Sequence, residues 1–147
     1  MGLYNQGSLR PLRDYQEVAV DRVKEALSQG YKRIMVQGPC GFGKTLTAAH
    51  LMADYVAEGR RVCFVAPRLT LIDQSVDAFE AEGFDGVGVI QGCHPLTDYD
   101  QLLQVASLQT LTRRKLPFIE LFIVDEAHMT SEAFLKLIEK YPSTPFI

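Results

Sequence analysis

Two short stretches combine residue types at spacings that could do chemistry on a nucleotide. The first is Gly38-Pro39-Cys40-Gly41-Phe42-Gly43-Lys44-Thr45: a glycine, four free positions, then Gly-Lys-Thr. Backbone N–H groups can wrap a phosphate only where the chain comes close and bends as a Cβ would forbid, and Gly38, Gly41 and Gly43 permit both. A helix beginning at Lys44 would aim its free N–H groups and positive dipole end at the phosphates. The Lys44 ammonium would meet the β- and γ-phosphates, and the Thr45 hydroxyl would offer Mg²⁺ a hard oxygen. The alternative is a tight structural turn. The second stretch is Asp125-Glu126-Ala127-His128. A carboxylate at a strand end can hold the same Mg²⁺, and the adjacent Glu can orient or deprotonate an attacking water. Its alternative is a short acidic loop capping the next helix.

These groups need elements to position them. The short β-branched run 33–37 ahead of the glycines predicts a buried strand, and 44–58 behind them a helix. Strand, glycine loop and helix together separate a phosphate loop from a chance match. Upstream, Asp14 three residues before Glu17 predicts a capping box opening a helix that Gly30 ends. Its expected apolar face is Tyr15, Val18, Ala19, Val23, Ala26 and Leu27. Downstream, strands are expected at 61–66, 86–90, 102–107 and 121–124. Helices are expected at 69–82, 108–115 and 131–141, the last capped by Thr130 or Ser131. Residues 91–100 read as a loop, and Phe146-Ile147 opens another apolar segment. Alternating strands and helices imply an α/β fold with a mostly parallel sheet, whose ligands bind at the carboxyl ends of the strands. Both chemical stretches fall at such ends.

Bulk properties set bounds. The 147 residues suggest one domain, which at this size buries ~70% of its unfolded surface. A formal net charge of −3 gives no long-range basic field, so any nucleic-acid contact must be local. Cys40, Cys63 and Cys93 are odd in number and lack metal spacing, which favours a reducing, cytoplasmic setting. No apolar run approaches membrane length and no signal pattern opens the chain, so no membrane partner is expected.

Asp125 to His128 spells a DEAH box, and the chain resembles the first RecA-like motor lobe of superfamily-two helicases and translocases. The branch it resembles includes DNA-repair helicases and the motor subunits of type III restriction enzymes. Four further stretches carry the likeness. Leu12-Arg13-Asp14-Tyr15-Gln16 resembles the adenine-recognition motif, assigning Arg13 to the nucleotide site and Gln16 to the base edge. Ala66-Pro67-Arg68-Leu69, with Gln74, and Val105-Ala106-Ser107-Leu108-Gln109-Thr110-Leu111 resemble two strand-contacting motifs, which puts Pro67, Arg68, Gln109 and Thr110 on nucleic acid. Tyr141-Pro142-Ser143-Thr144-Pro145-Phe146-Ile147 resembles the approach to the third motif.

The resemblance implies a three-layer P-loop NTPase fold over 12–147, incomplete at its C-terminus, behind a flexible segment 1–11. ATP and Mg²⁺ are its implied cofactors. Lys44, Asp125 and Glu126 are its catalytic groups, with Asp125 and Thr45 on the metal. The loop residues Gly38, Pro39, Cys40, Gly41, Phe42, Gly43, Lys44 and Thr45 line the phosphates, and His128 couples them to DNA or RNA. It also implies a partner lobe carrying an arginine finger, and a third-motif strand between the loop strand and the acidic-box strand. The chain thus reads as a truncated piece of a longer helicase. Two other functions stay open: a restriction motor that translocates without unwinding, and a non-catalytic nucleotide-binding regulatory module. Smaller alternatives remain too. Gln16, Arg68, Gln109 and Thr110 could be solvated polar groups, and Arg113-Arg114-Lys115 a solvated basic face. Cys40 reads as a free loop position rather than a redox switch, Cys93-His94 as loop residues rather than metal ligands, and His50 as packed on its helix.

Overall fold

A computed structural model of the protein describes residues 9–114, 116, 118–128 and 132–147. The helices are α1 (Asp14–Ser28), α2 (Lys44–Ala57), α3 (Ile72–Ala81), α4 (Leu108–Arg113) and α5 (Glu132–Lys140). The strands are β1 (Val62–Ala66), β2 (Gly88–Ile90), β3 (Leu103–Ser107) and β4 (Leu121–Val124), in the spatial order β2-β3-β1-β4 with every pair parallel. Lys115, Thr130 and Ser131, and with the last two the expected cap of α5, lie outside the described residues.

The strands are mostly apolar because both their faces are covered; Gln104 and Ser107 of β3 are buried polar exceptions, Gln104 donating to Asp98 O and Gln101 O. Val62, Phe64, Leu103, Val105, Leu121 and Ile123 join the core formed with α1, α2 and α3. The alternate positions Cys63, Val65, Ala106 and Phe122 join a second core with Leu111 of α4 and Leu137 of α5. The result is the expected three-layer α/β architecture, with helices on both sides of one parallel sheet. Cys63 is buried in it, and burial raises its thiol pKa far above the usual range, so it is inert.

Several local expectations need correction. The run 33–37 does not form a strand. Arg33 makes a single parallel bridge to Phe146, which bridges in turn to Phe122, while Met35 is 82% exposed. An apolar run becomes a sheet strand only where neighbouring backbone pairs with it. That pairing stops at Ile34, whose N–H donates to Phe146 O at 3.0 Å. The terminal apolar segment does enter the sheet between the loop-bearing segment and β4, the slot expected for the third motif.

The second correction concerns α1. Its buried residues are Gln16, Val20 and Val23, with Leu27 partly buried, whereas Val18 is half exposed. Asp14 is already helical, Arg13 is the cap, and Gln16 Oε1 accepts the Arg13 N–H at 2.8 Å. Third, 69–82 divides into a 3₁₀ turn, Leu69–Leu71, and α3. Residues 9–12, of which 9–11 were expected to be loose, run across α2 and α3; Leu9 and Leu12 pack against the first core.

Candidate functional site

The glycine loop starts α2. Gly43 is the N-cap with φ 82°, in the left-handed region, and Gly41 has φ 80°. A Cβ on Gly43 would also lie 2.3 Å from Gln16 Nε2, and one on Gly38 2.7 Å from the Phe42 ring. The first turn of α2 leaves Lys44 and Thr45 exposed, while Thr47 turns inward and donates to Gly43 O at 3.0 Å. The Thr45 hydroxyl has no hydrogen-bond partner among the described residues and is free to take a ligand.

β4 delivers the acidic turn opposite. Pairing of β4 with β1 continues one step beyond the strand, the Asp125 N–H donating to Val65 O at 3.0 Å. Glu126 follows with φ 54°, the one described non-glycine residue at positive φ, a conformation that costs a bulky side chain about 1–2 kcal/mol. That turn aims its carboxylate at the loop. Lys44 Nζ lies 3.5 Å from Glu126 Oε1, and His128 Nδ1 lies 3.2 Å from Oε2. Partial burial, and then the neighbouring Glu126 charge, raise the Asp125 pKa; a backbone hydrogen bond and the Lys44 and His128 charges offset this in part. A carboxylate whose charged form is disfavoured in this way is one that a nearby cation would stabilise. The donor set fits Mg²⁺, which binds protein through one or two hard oxygens and takes its remaining ligands from phosphate and water. No cluster of three or more acidic, His or Cys side chains among the described residues offers a metal cage.

Gln16 is buried beneath the loop. Its Nε2 donates to Phe42 O at 2.7 Å and its Oε1 is taken by Arg13, so it ties the start of α1 to the loop backbone. Its second Nε2 proton reaches only Gly43 O at 3.5 Å, a marginal contact, and Oε1 keeps one lone pair. Tyr15, which sequence reasoning placed on the apolar face of α1, lies instead beside the loop. Its ring is 5.2 Å from that of Phe42, its hydroxyl accepts from Arg13 Nη1 at 3.0 Å, and it remains 42% exposed. An exposed aromatic next to a glycine loop is a surface on which a base can stack. The sequence signal was an aromatic one residue before Gln16.

The strand-contacting candidates leave adjacent strand ends, because Ala66 of β1 pairs with Ser107 of β3. Arg68 and Gln109 are exposed and Pro67 is partly so. Thr110 is less available. The Ser107 hydroxyl donates to Thr110 Oγ1 at 2.8 Å and accepts the Thr110 N–H, capping α4. Arg114 is not a purely solvated group and is only partly exposed. It donates to Gly92 O at 2.6 Å and to Tyr99 Oη at 2.9 Å, pinning α4 to the 91–100 loop, whereas Arg113 is exposed. His94 binds Asp73 at 2.8 Å and accepts the Leu96 N–H on its other nitrogen, which makes it a loop fastener; Cys93 beside it is exposed. His50 is not simply packed: its Nε2 lies 2.8 Å from Arg10 O. No helix among the described residues is long and apolar enough to cross a membrane.

Comparison with known proteins bears on the family and the fold. The family described as "Type III restriction enzyme, res subunit" matches residues 10–147. The endonuclease subunit of the type I restriction enzyme EcoKI of Escherichia coli K12 is 32% identical, aligned over 80% of this chain and 11% of that protein. The transcript termination protein OPG145 of variola virus is likewise 32% identical, over 81% of this chain and 22% of its own length. The chain therefore spans less than a quarter of these two relatives. Among solved structures, the UvsW helicase of bacteriophage T4 aligns with a TM-score of 0.76 at 18% identity, covering 97% of this chain and 54% of that one. A Sulfolobus solfataricus SWI2/SNF2 ATPase core in complex with dsDNA aligns at 0.71 and 18%, covering 99% and 32%. At those identities the likeness establishes the fold, a RecA-like lobe.

Proposed function

This chain belongs to the family of type III restriction enzyme res subunits, and from that membership we propose that it is the first ATP-binding lobe of an ATP-dependent motor that moves on DNA. The observation that carries the reading is the 3.5 Å approach of Lys44 to Glu126. It joins the two chemical stretches, 82 residues apart in sequence, into one site on the carboxyl edge of the sheet.

In this reading the triphosphate seats on the 38–45 loop and Tyr15 and Gln16 meet the adenine. Lys44 exchanges Glu126 for the β- and γ-phosphates. Glu126 Oε1, released, accepts a proton from the attacking water, while the positive φ of Glu126 and the contact to His128 keep the carboxylate aimed. Thr45 and Asp125 would hold Mg²⁺, which neutralises charge on the phosphate oxygens. His128, exposed beside Glu126, is the coupling group toward DNA bound along Arg68 and Gln109, with Thr110 at their margin because it also caps α4. The activating arginine belongs to a second lobe and contributes about 10³–10⁵ in rate, so this lobe alone binds ATP and turns over little.

ATP hydrolysis is the test, measured without DNA, with single-stranded DNA and with duplex DNA, for this lobe and for the lobe joined to a second one. The expected result is stimulation in the joined form that Glu126→Gln abolishes while ATP binding persists. Absence of DNA-stimulated hydrolysis in the joined form overturns the motor. The restriction family favours movement along duplex without strand separation, and a strand-displacement assay on the same protein separates that from unwinding.

A further inference from the structure

Glu82 belongs to none of the stretches discussed above, yet it is among the most buried charged side chains. It caps the C-terminus of α3 and is 3% exposed. A carboxylate in that position is costly unless hydrogen-bonded and paired. Here Arg10 supplies the side chain's hydrogen bonds. Its N–H donates to Oε2 at 3.1 Å, its Nε to Oε1 at 2.6 Å, and its Nη2 lies 2.5 Å from Oε1. His50 on α2 meets the Arg10 carbonyl from the other side.

Arg10 therefore fastens the incoming chain across α2 and α3, three residues before Arg13. From Arg13 the contacts run to Gln16 and from Gln16 to Phe42 in the loop. We propose that Glu82 is a positioning residue for base recognition. By fixing segment 10–13 it sets where Gln16 and the Tyr15 ring stand relative to the phosphate loop, without touching nucleotide itself. This rests on the reading that Gln16 and Tyr15 meet adenine. Leu9 and Leu12 pack on the core independently of Glu82, so loss of the carboxylate loosens the segment without releasing it. Phosphate binding by residues 38–45 rests chiefly on α2, with the Gln16 bond to Phe42 O as one mooring among others, so it loses less than base discrimination does.

The experiment is displacement of a fluorescent N-methylanthraniloyl-ATP from the 147-residue chain by ATP, GTP or inorganic tripolyphosphate, with Mg²⁺ present. In the wild type ATP competes better than GTP, and tripolyphosphate also competes. In Glu82→Gln the ATP-over-GTP preference falls about five- to tenfold, the worth of one hydrogen bond to the base, while tripolyphosphate competition changes by less. Arg10→Gln, a change at a largely exposed side chain, gives the same pattern and keeps the test available if Glu82→Gln does not fold. An unchanged preference beside a lowered melting temperature overturns the proposal and leaves Glu82 a structural staple. Equal competition by ATP and GTP in the wild type overturns it as well. Failure of tripolyphosphate to compete in the wild type is a different result, which removes the phosphate site itself.

Discussion

Replacing Gly43 by alanine separates two costs that the loop combines. The first is conformational: at φ 82° a Cβ costs about 1–2 kcal/mol. The second is specific to this position. The new Cβ would stand 2.3 Å from Gln16 Nε2, so the Gln16 amide must withdraw and lose its bond to Phe42 O. That bond is worth about 1 kcal/mol, giving a total near ~2–3 kcal/mol. Gly41 supplies the control. Its φ is 80° but a Cβ there meets nothing within 4 Å, so Gly41→Ala carries the conformational cost alone. Urea denaturation of the two variants, with Gln16→Ala and the double variant Gly43→Ala/Gln16→Ala, tests the reasoning. Gly43→Ala is expected to be about 1 kcal/mol worse than Gly41→Ala, and less harmful once Gln16 is already truncated. Equal losses at the two glycines, or strict additivity of Gly43→Ala with Gln16→Ala, would refute the role assigned to Gln16 as the strut beneath the loop.

Asp125→Asn should raise the melting temperature at neutral pH while weakening Mg²⁺-dependent ATP binding. The Asp125 pKa is raised in the folded state, so its penalty is fully present above the folded pKa and absent below the unfolded value. The gain, followed by thermal melts in series, shrinks as pH is lowered through that window. Lys44→Ala should weaken triphosphate binding by at least about tenfold, a loss of about 1.4 kcal/mol or more, read by calorimetry. Arg114→Met should cost about 1–3 kcal/mol in urea through the lost bonds to Gly92 and Tyr99, whereas Arg113→Met should be nearly neutral for stability.

How much was legible beforehand varied with how local the signal was. The glycine pattern and the acidic box could be picked out residue by residue, because the chemistry expected of them tolerates few substitutes, and the structure brings them together through Lys44 and Glu126. Apolar strand-like runs alternating with helices identified the sheet, since a strand covered on both faces is largely apolar. The face of α1 was misread because Gln16, a polar residue, sits at the head of the buried stripe Gln16, Val20, Val23, Leu27, whose spacing is helical once Gln16 is counted. Arg114 and Glu82 were illegible for a different reason. Their partners are remote in sequence, Glu82 meeting Arg10 across 72 positions, and hydrophobic periodicity carries no information about such pairs. The run 33–37 looked like a strand because strand propensity reports the side chains and not whether a neighbouring backbone is there to pair.

That run has a thermodynamic consequence. The glycine loop is moored behind by α2 and from the side by Gln16, and ahead by pairing that stops at Ile34. Met35, Val36 and Gln37 make no hydrogen bond with the described residues. On the proposed reading a triphosphate needs the loop in one shape, and its affinity is the intrinsic affinity scaled by the fraction of molecules already in that shape. Backbone partners offered to 35–37 would raise that fraction, and so tighten nucleotide binding, while touching neither phosphate nor base. Occupancy of the sheet beside the loop then acts as a gain control on the site.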